Sequence, residues 1–362
     1  MHPILTQPLI PKAASLPEAL VIYPLEDLAI FEATGADALS FLQGQITNDI
    51  LSAGPEQARL AGYCTAQGRL LATMVMTALP DAPAGGLIGL MRQDILASVL
   101  KRLSMFVLRA KVKFGASTYS VVGASVATPR VAALSQTLGH TLPQTAWQAA
   151  ATATGLWICA PTAAAQPGTE TLRWWWLASE AQAASCQALK LRYAMGTTEQ
   201  WHRQDIAAGL PWIEAATQDL LIPQTLNLDL IEGVSFTKGC YPGQEIVARS
   251  HYRGTVKRRM HFGKIDAIRA LSLKPGADIF DAQGSEQACG RVINITSSVA
   301  NHATLQAPTQ VGQQVVGANE VDTAYVLFET TFDALEHNAL RIEARDGAPI
   351  TLLRLPYSTK PA

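Results

Sequence analysis

Apolar and polar positions change their spacing along this chain, from mixed helical and strand periods in front to short strand-like runs behind. Residues 1–20 read as an irregular lead-in, broken by Pro3, Pro8 and Pro11. A strand is expected at 28–33, closed by Thr34-Gly35, and a short helix from Asp37 to Leu42, stopping near Gly44. Residues 59–64 and 69–77 are apolar runs joined by Thr65-Ala66-Gln67-Gly68, which predicts a hairpin. Ile95, Leu96, Val99, Leu100 and Leu103 recur at helical spacing, so 93–103 is expected as an amphipathic helix. Strand character returns at 111–114 and 119–122.

Residues 125–170 are rich in Ala, Thr, Gln and Pro and read as a less constrained middle lobe, with strands at 156–159 and 172–177 and a helix at 181–191. The next helix is well signalled. Thr197 and Gln200 have capping-box spacing, Gly209 suits its C-terminal side, and Pro211 prevents continuation. After about residue 255 the runs are short (277–280, 290–296, 323–329, 340–344, 350–355) and punctuated by Gly and Pro, which predicts a small antiparallel barrel or sandwich. The fold class expected is α+β, with an all-β C-terminal part.

Composition narrows the function classes. The 28 Lys+Arg and 29 Asp+Glu nearly cancel, which argues against bulk electrostatic wrapping of nucleic acid or anionic lipid. With 48% apolar and only 16% charged residues, the chain is not disordered over most of its length. No apolar stretch approaches the roughly 20 residues of a membrane helix, and no basic segment opens a secretory signal. Cys64, Cys159, Cys186, Cys240 and Cys289 are odd in number, scattered and without a C-x-x-C pair, so neither a disulfide framework nor a zinc site is expected. The expectation is a cytoplasmic, monomeric globular protein without a metal of its own.

The most informative segment is Lys238-Gly239-Cys240-Tyr241-Pro242-Gly243-Gln244-Glu245. Two glycines bracket a cysteine in a sharp turn, and Pro242 with Glu245 suits the start of a helix. Cys240 would then lie near the positive end of a helix and two residues from Lys238, both of which favour thiolate. The residues alone leave two readings open: a reactive thiolate, or a small buried hydrophobe in a tight turn. His202 and His251 are available in sequence as a base.

The octapeptide resembles the signature of the YgfZ family, K-G-C-Y-x-G-Q-E, whose members are folate-binding relatives of the glycine-cleavage T-protein. Gly35 to Ala38 and Phe41 to Asp49 resemble the family's N-terminal block, and Gly68-Arg69-Leu70 its hairpin. Trp201, Gly209-Leu210-Pro211, Ile222-Pro223-Gln224 and Asn227-Leu228 resemble the lead into the signature, and Leu355-Pro356-Tyr357-Ser358 the usual ending. The resemblance implies a T-protein-like ring of three domains: two interleaved α+β domains over 1–250, with a middle lobe at about 115–195, and a C-terminal β-barrel over 251–362. It also implies tetrahydrofolate as cofactor and iron–sulfur enzymes or their assembly factors as partners, tRNA-methylthiolating enzymes among them.

By the same resemblance Cys240 and Lys238 are the reactive pair, within the signature turn of Gly239, Tyr241, Gly243, Gln244 and Glu245. Trp201 aligns with a tryptophan that the family uses for folate, and Leu28 stands where a second family tryptophan would be. Two acid-free basic stretches could meet an anionic ligand. Lys101, Arg102, Arg109, Lys111 and Lys113 read as a solvated face. Arg249, Arg253, Lys257, Arg258, Arg259 and Lys264 follow the signature and are the better candidates for a glutamate tail, Arg249 first among them. The rival reading is the T-protein's aminomethyl transfer. There an Asp pair follows the hairpin, and here Leu71 and Ala72 cannot handle a proton. A non-catalytic iron–sulfur adaptor is the third reading, because no complete catalytic constellation is visible; one thiolate is too few to hold a cluster that takes about four protein ligands.

Overall fold

A computed structural model describes residues 20–80, 82, 85–163, 170–188, 193–252, 256–296 and 323–359. Three sheets carry the described fold. In the front sheet the order is Arg59–Cys64, Leu70–Ala78, Gly86–Arg92, Leu28–Thr34, Lys113–Ala116, antiparallel throughout. The expected hairpin is its first pair. In the middle sheet the order is Tyr193–Met195, Leu20–Pro24, Ser120–Ala127, Thr171–Ala178, Gly155–Cys159, Ala149–Thr152. Only the pairing of Leu20–Pro24 with Tyr193–Met195 is parallel there. The chain therefore passes from the middle sheet at Leu20–Pro24 to the front sheet at Leu28–Thr34.

The strand Thr171–Ala178 explains how the middle sheet is buried. Side chains alternate along a strand. Trp174 and Trp176 accordingly join one core with Trp157, stacked 4.5 Å from Trp176, whereas Trp175 joins the core of the front sheet. All four tryptophans are fully buried. A sheet covered on both faces reads as a continuous apolar run.

Helix Thr198–Ala207 runs beside these cores, and its capping box forms as expected. Thr197 Oγ1 accepts from Gln200 N at 3.2 Å, and Thr197 N donates to Gln200 Oε1 at 2.9 Å. Gly209 ends it at φ +67°. Helix Gln93–Met105 buries Ile95, Val99 and Leu103.

The back sheet has the order Leu340–Ile342, Asp278–Asp281, Gly290–Ile295, Thr323–Thr331, Arg258–Asp266, Thr351–Leu353. Among the described residues it is a curled, open half-barrel, the coarser form of the antiparallel barrel or sandwich expected from the sequence. Its two edges meet only through an isolated bridge at Arg341 and Pro349 and the bonds Ile342 N to Ala348 O and Ile350 N to Leu340 O, both 3.0 Å. The connection turns sharply, with Glu343 at φ +65°, and Pro349 has no N–H to extend a ladder. Among the described residues no helix is long and apolar enough to cross a membrane.

Candidate functional site

The signature folds as a turn followed directly by the helix Gln244–Tyr252, with Glu245 in its first turn. Gly243 adopts φ +81°, and a Cβ on it would lie 2.5 Å from both Gly68 Cα and Thr65 O. The tip of the front hairpin is thus wedged against the start of the signature helix. Gly239 differs: its φ is not left-handed, and an added Cβ would meet nothing within 4 Å. Of the two glycines, only Gly243 is demanded by local geometry, and the space beside Cys240 stays open.

Lys238 does not point into solvent beside the thiol. Its side chain is buried, and Nζ donates to Ile46 O at 2.5 Å and to Gln43 O. Burial lowers its pKa to about 8, against a small opposing pull from Asp49. Its charge holds main-chain carbonyls, so it serves first to pin the turn. Tyr241 is buried beneath it, with Lys238 Nζ 5.1 Å above the ring.

The segments that resemble the family's blocks converge on this turn through hydrogen bonds. Thr47 Oγ1 donates to Gly233 O at 2.6 Å, Asn48 Nδ2 donates to Glu232 O at 2.6 Å, and Ser235 N donates to Thr47 O at 2.9 Å. The block Gln43–Asn48 thereby braces the whole approach to Cys240. From the other side, Gln224 Nε2 donates to Val247 O of the signature helix at 2.5 Å. Asn227 Nδ2 donates to Met260 O at 2.8 Å, and Tyr357 OH donates to Gly209 O at 2.9 Å. Polar side chains rare in apolar surroundings recur here because each closes a main-chain gap between segments distant in sequence.

Cys240 is exposed, whereas Cys64 and Cys159 are buried and burial pushes both thiols up to about 12. Cys289 is half-buried and also raised by burial. Cys186 lies in the helix Glu180–Ala188. Neither histidine proposed as a base hydrogen-bonds the Cys240 thiol. His202 Nε2 lies 2.7 Å from Asp27 Oδ2, and His251 stacks on Phe236 at 3.7 Å.

Of the other sequence-derived residues, Arg249 lies on the signature helix, whereas Trp201 and Leu28 are buried in the core of the front sheet. Trp201 is fully buried, edge-on to Trp175 at 6.1 Å, with the Arg173 guanidinium 4.7 Å from its ring. Gly123 makes room for it, since a Cβ there would sit 2.4 Å from the indole. Leu28 is buried at the start of its strand. Arg249 is exposed and paired with Glu245 at 2.8 Å. The arginines expected to serve a glutamate tail are largely engaged elsewhere. Arg259 is held by Asp229 and Arg258 by Glu329, and Arg253 lies outside the described residues.

A cleft of about 570 Å³ opens where the front hairpin, the middle sheet, the end of helix Thr198–Ala207 and the C-terminal tail meet. Trp147, Arg59, Glu232, Leu210 and Tyr357 are on its wall. Trp147 at φ +69° and Glu232 at φ +60° both hold left-handed backbone, costly for side chains of this size. Trp147 stacks on Trp175 at 6.2 Å, so the cleft connects through one aromatic layer to Trp201. Leu210 also lines a smaller polar cavity of about 120 Å³, where Arg92, His202, Asp205 and Glu214 gather. Burial raises the Glu214 carboxyl, with Arg92 opposing. Sequence reading passed over Trp147, Arg59 and Glu232; an isolated Trp in an Ala/Gln-rich stretch was the one available signal.

The whole chain is similar to curated proteins. A tRNA-modifying protein YgfZ from Yersinia enterocolitica is 29% identical over 98% of this chain and 97% of its own length. The one from Serratia proteamaculans is 29% identical over 94% and 93%. That of Yersinia pseudotuberculosis is 31% identical over 70% of this chain and 73% of its own length. No family model matches the chain. Among solved structures, the glycine cleavage system aminomethyltransferase T of Bartonella henselae superimposes with a TM-score of 0.61 over 94% of this chain and 86% of its own, at 13% identity. That likeness carries the fold. With the signature turn, its braces and this level of identity taken together, the chain belongs to the YgfZ family, built on the fold of the aminomethyltransferases.

Proposed function

We propose that this protein binds a reduced folate and supports the assembly or repair of iron–sulfur enzymes, including those that methylthiolate tRNA, with Cys240 as its working thiol. The observation that carries this reading is the exposed Cys240, presented on a turn pinned by Lys238 and wedged at Gly243 while Cys64 and Cys159 are buried. Such bracing is what a reactive group needs and a packing residue does not. The three-domain ring, with its two interleaved front domains, is part of the same proposal.

Folate fits the cleft by chemistry. Its volume lies within the range of small-molecule sites, about 300–1,000 Å³. Trp147 and Tyr357 offer aromatic faces, Arg59 a cation for a glutamate tail, and Glu232 a carboxylate for the pterin's N–H groups. The folate would supply one-carbon or redox chemistry; the residues here bind and orient it. Strained backbone at Trp147 and Glu232 supports a binding role, because such strain collects at functional sites. Aminomethyl transfer is disfavoured, since Leu71 and Ala72 supply no carboxylate and Ala72 is buried.

Complementation tests the reading. In cells lacking the native protein, the wild type should restore tRNA methylthiolation and Cys240→Ser should not, while the variant remains folded. Full restoration by the serine variant refutes a working thiol.

A further inference from the structure

A basic, acid-free segment of the front domain carries apolar side chains that no described residue covers. Residues 101–113 read Lys-Arg-Leu-Ser-Met-Phe-Val-Leu-Arg-Ala-Lys-Val-Lys, the last turns of helix Gln93–Met105 and the loop into strand Lys113–Ala116. Met105 is 70% exposed, Phe106 48% and Leu108 88%. Lys101, Arg102, Arg109, Lys111 and Lys113 are exposed on either side of them. Among the described residues none of these five cations is ion-paired. Arg102 lies 5.8 Å over the Phe106 ring, which covers one face of that aromatic.

We infer that this loop is a docking surface for a partner protein that presents an apolar centre ringed by carboxylates, and that docking there brings the partner to Cys240. An exposed apolar centre with a charged rim, rich in Met, Phe and Arg, is the anatomy of a protein interface. The rim is entirely cationic, so its complement is acidic.

The loop is coupled rigidly to the signature turn. Lys111 N donates to Asp37 Oδ2 at 2.7 Å, and Asp37 N donates to Lys111 O at 3.2 Å. Asp37 precedes the six-residue helix Ala38–Gln43, at whose far end Gln43 O accepts from Lys238. That helix spans only about 9 Å. A body seated on the loop is therefore within reach of the exposed thiol.

Nucleic acid and membrane fit less well. The chain as a whole has net charge −1, so no long-range field draws it to a polyanion or an anionic bilayer. Met105 and Leu108 are aliphatic tips rather than stacking platforms, and the single aromatic is already capped by Arg102.

This inference rests on the proposed role of Cys240, and one experiment separates their failures. A photo-cross-linking amino acid at position 108 of the full-length protein is activated in cells, and the adducts are identified by mass spectrometry. One or a few defined acidic proteins should be trapped. The non-covalent complex reconstituted from the unlabelled protein and the identified partner should weaken about tenfold or more when salt cuts the screening length from about 10 Å at 0.1 M to about 3 Å at 1 M. Arg109→Glu combined with Lys111→Glu, and separately Met105→Ser, should abolish trapping and complementation while Cys240 alkylation in the free protein is unchanged. No defined adduct, or full complementation by both variants, overturns the docking surface and leaves the thiol reading intact. Loop-dependent binding to phosphatidylserine vesicles or to a single-stranded RNA, without a protein adduct, also overturns it. Trapping that persists while Cys240→Ser complements in full refutes the role of the thiol and spares the surface.

Discussion

Gly243 and Gly68 face each other so closely that a Cβ on Gly243 would lie 2.5 Å from the Cα of Gly68. This contact joins the front hairpin to the signature helix, and it accounts for both glycines, each of which has left-handed φ. Gly243→Ala should destabilise the protein by about 2–4 kcal/mol, combining left-handed strain with backbone overlap. Gly239→Ala, with open space at its Cβ, should leave the melting temperature nearly unchanged. Thermal denaturation of the two variants side by side checks this, and equal losses would contradict the wedge.

The thiols should separate by reactivity. Cys240 should alkylate first and Cys289 second, with Cys64 and Cys159, both pushed up to about 12 by burial, labelling only on unfolding. Time-resolved alkylation with identification of labelled peptides gives the order. Cys64 or Cys159 reacting ahead of Cys240 would contradict the burial described here.

Lys238 should couple stability to pH. Its folded pKa is lowered by burial to about 8, from an ordinary 10.5. Between those values the unfolded chain binds the proton that the folded chain has released, so this group's contribution rises with pH across that window. Below about 8 both states are protonated and the burial penalty is present in full. Wild type minus Lys238→Met, followed by urea denaturation at several pH values, should show this positive slope. A flat difference would mean that the ammonium is not buried as described.

Trp147 and Trp201 should part company in folate titrations. Trp147 is buried but lines the cleft, so Trp147→Ala should weaken tetrahydrofolate binding by about 1.5–3 kcal/mol, or roughly ten- to a hundredfold, besides lowering stability. Trp201 is fully buried, so Trp201→Ala should chiefly lower stability, by about 3–5 kcal/mol. Calorimetric titration beside thermal denaturation distinguishes them. Unchanged affinity in a folded Trp147→Ala variant would remove the cleft as the folate site.

Local signals in the sequence determined the hairpin, the capped helix Thr198–Ala207, the strand runs and the cysteine turn. Capping-box spacing, turn residues and side-chain period act over a few residues and need no distant partner. The signature and the blocks that resemble it were also legible, since each is a contiguous string. Tertiary structure alone decided what those strings do to one another. Lys238 reads as a charge beside a thiol, yet its ammonium turns inward because the unpaired carbonyls of Gln43 and Ile46 are there to receive it. Leu20–Pro24 gave little signal as a strand, and its partners, Ser120–Ala127 and Tyr193–Met195, lie about a hundred residues away and beyond. Trp147 gains a role only where the hairpin, the middle sheet and the C-terminal tail meet. The back sheet's strand runs were legible, whereas the order of those strands and the sparse pairing between its edges came only from the tertiary structure.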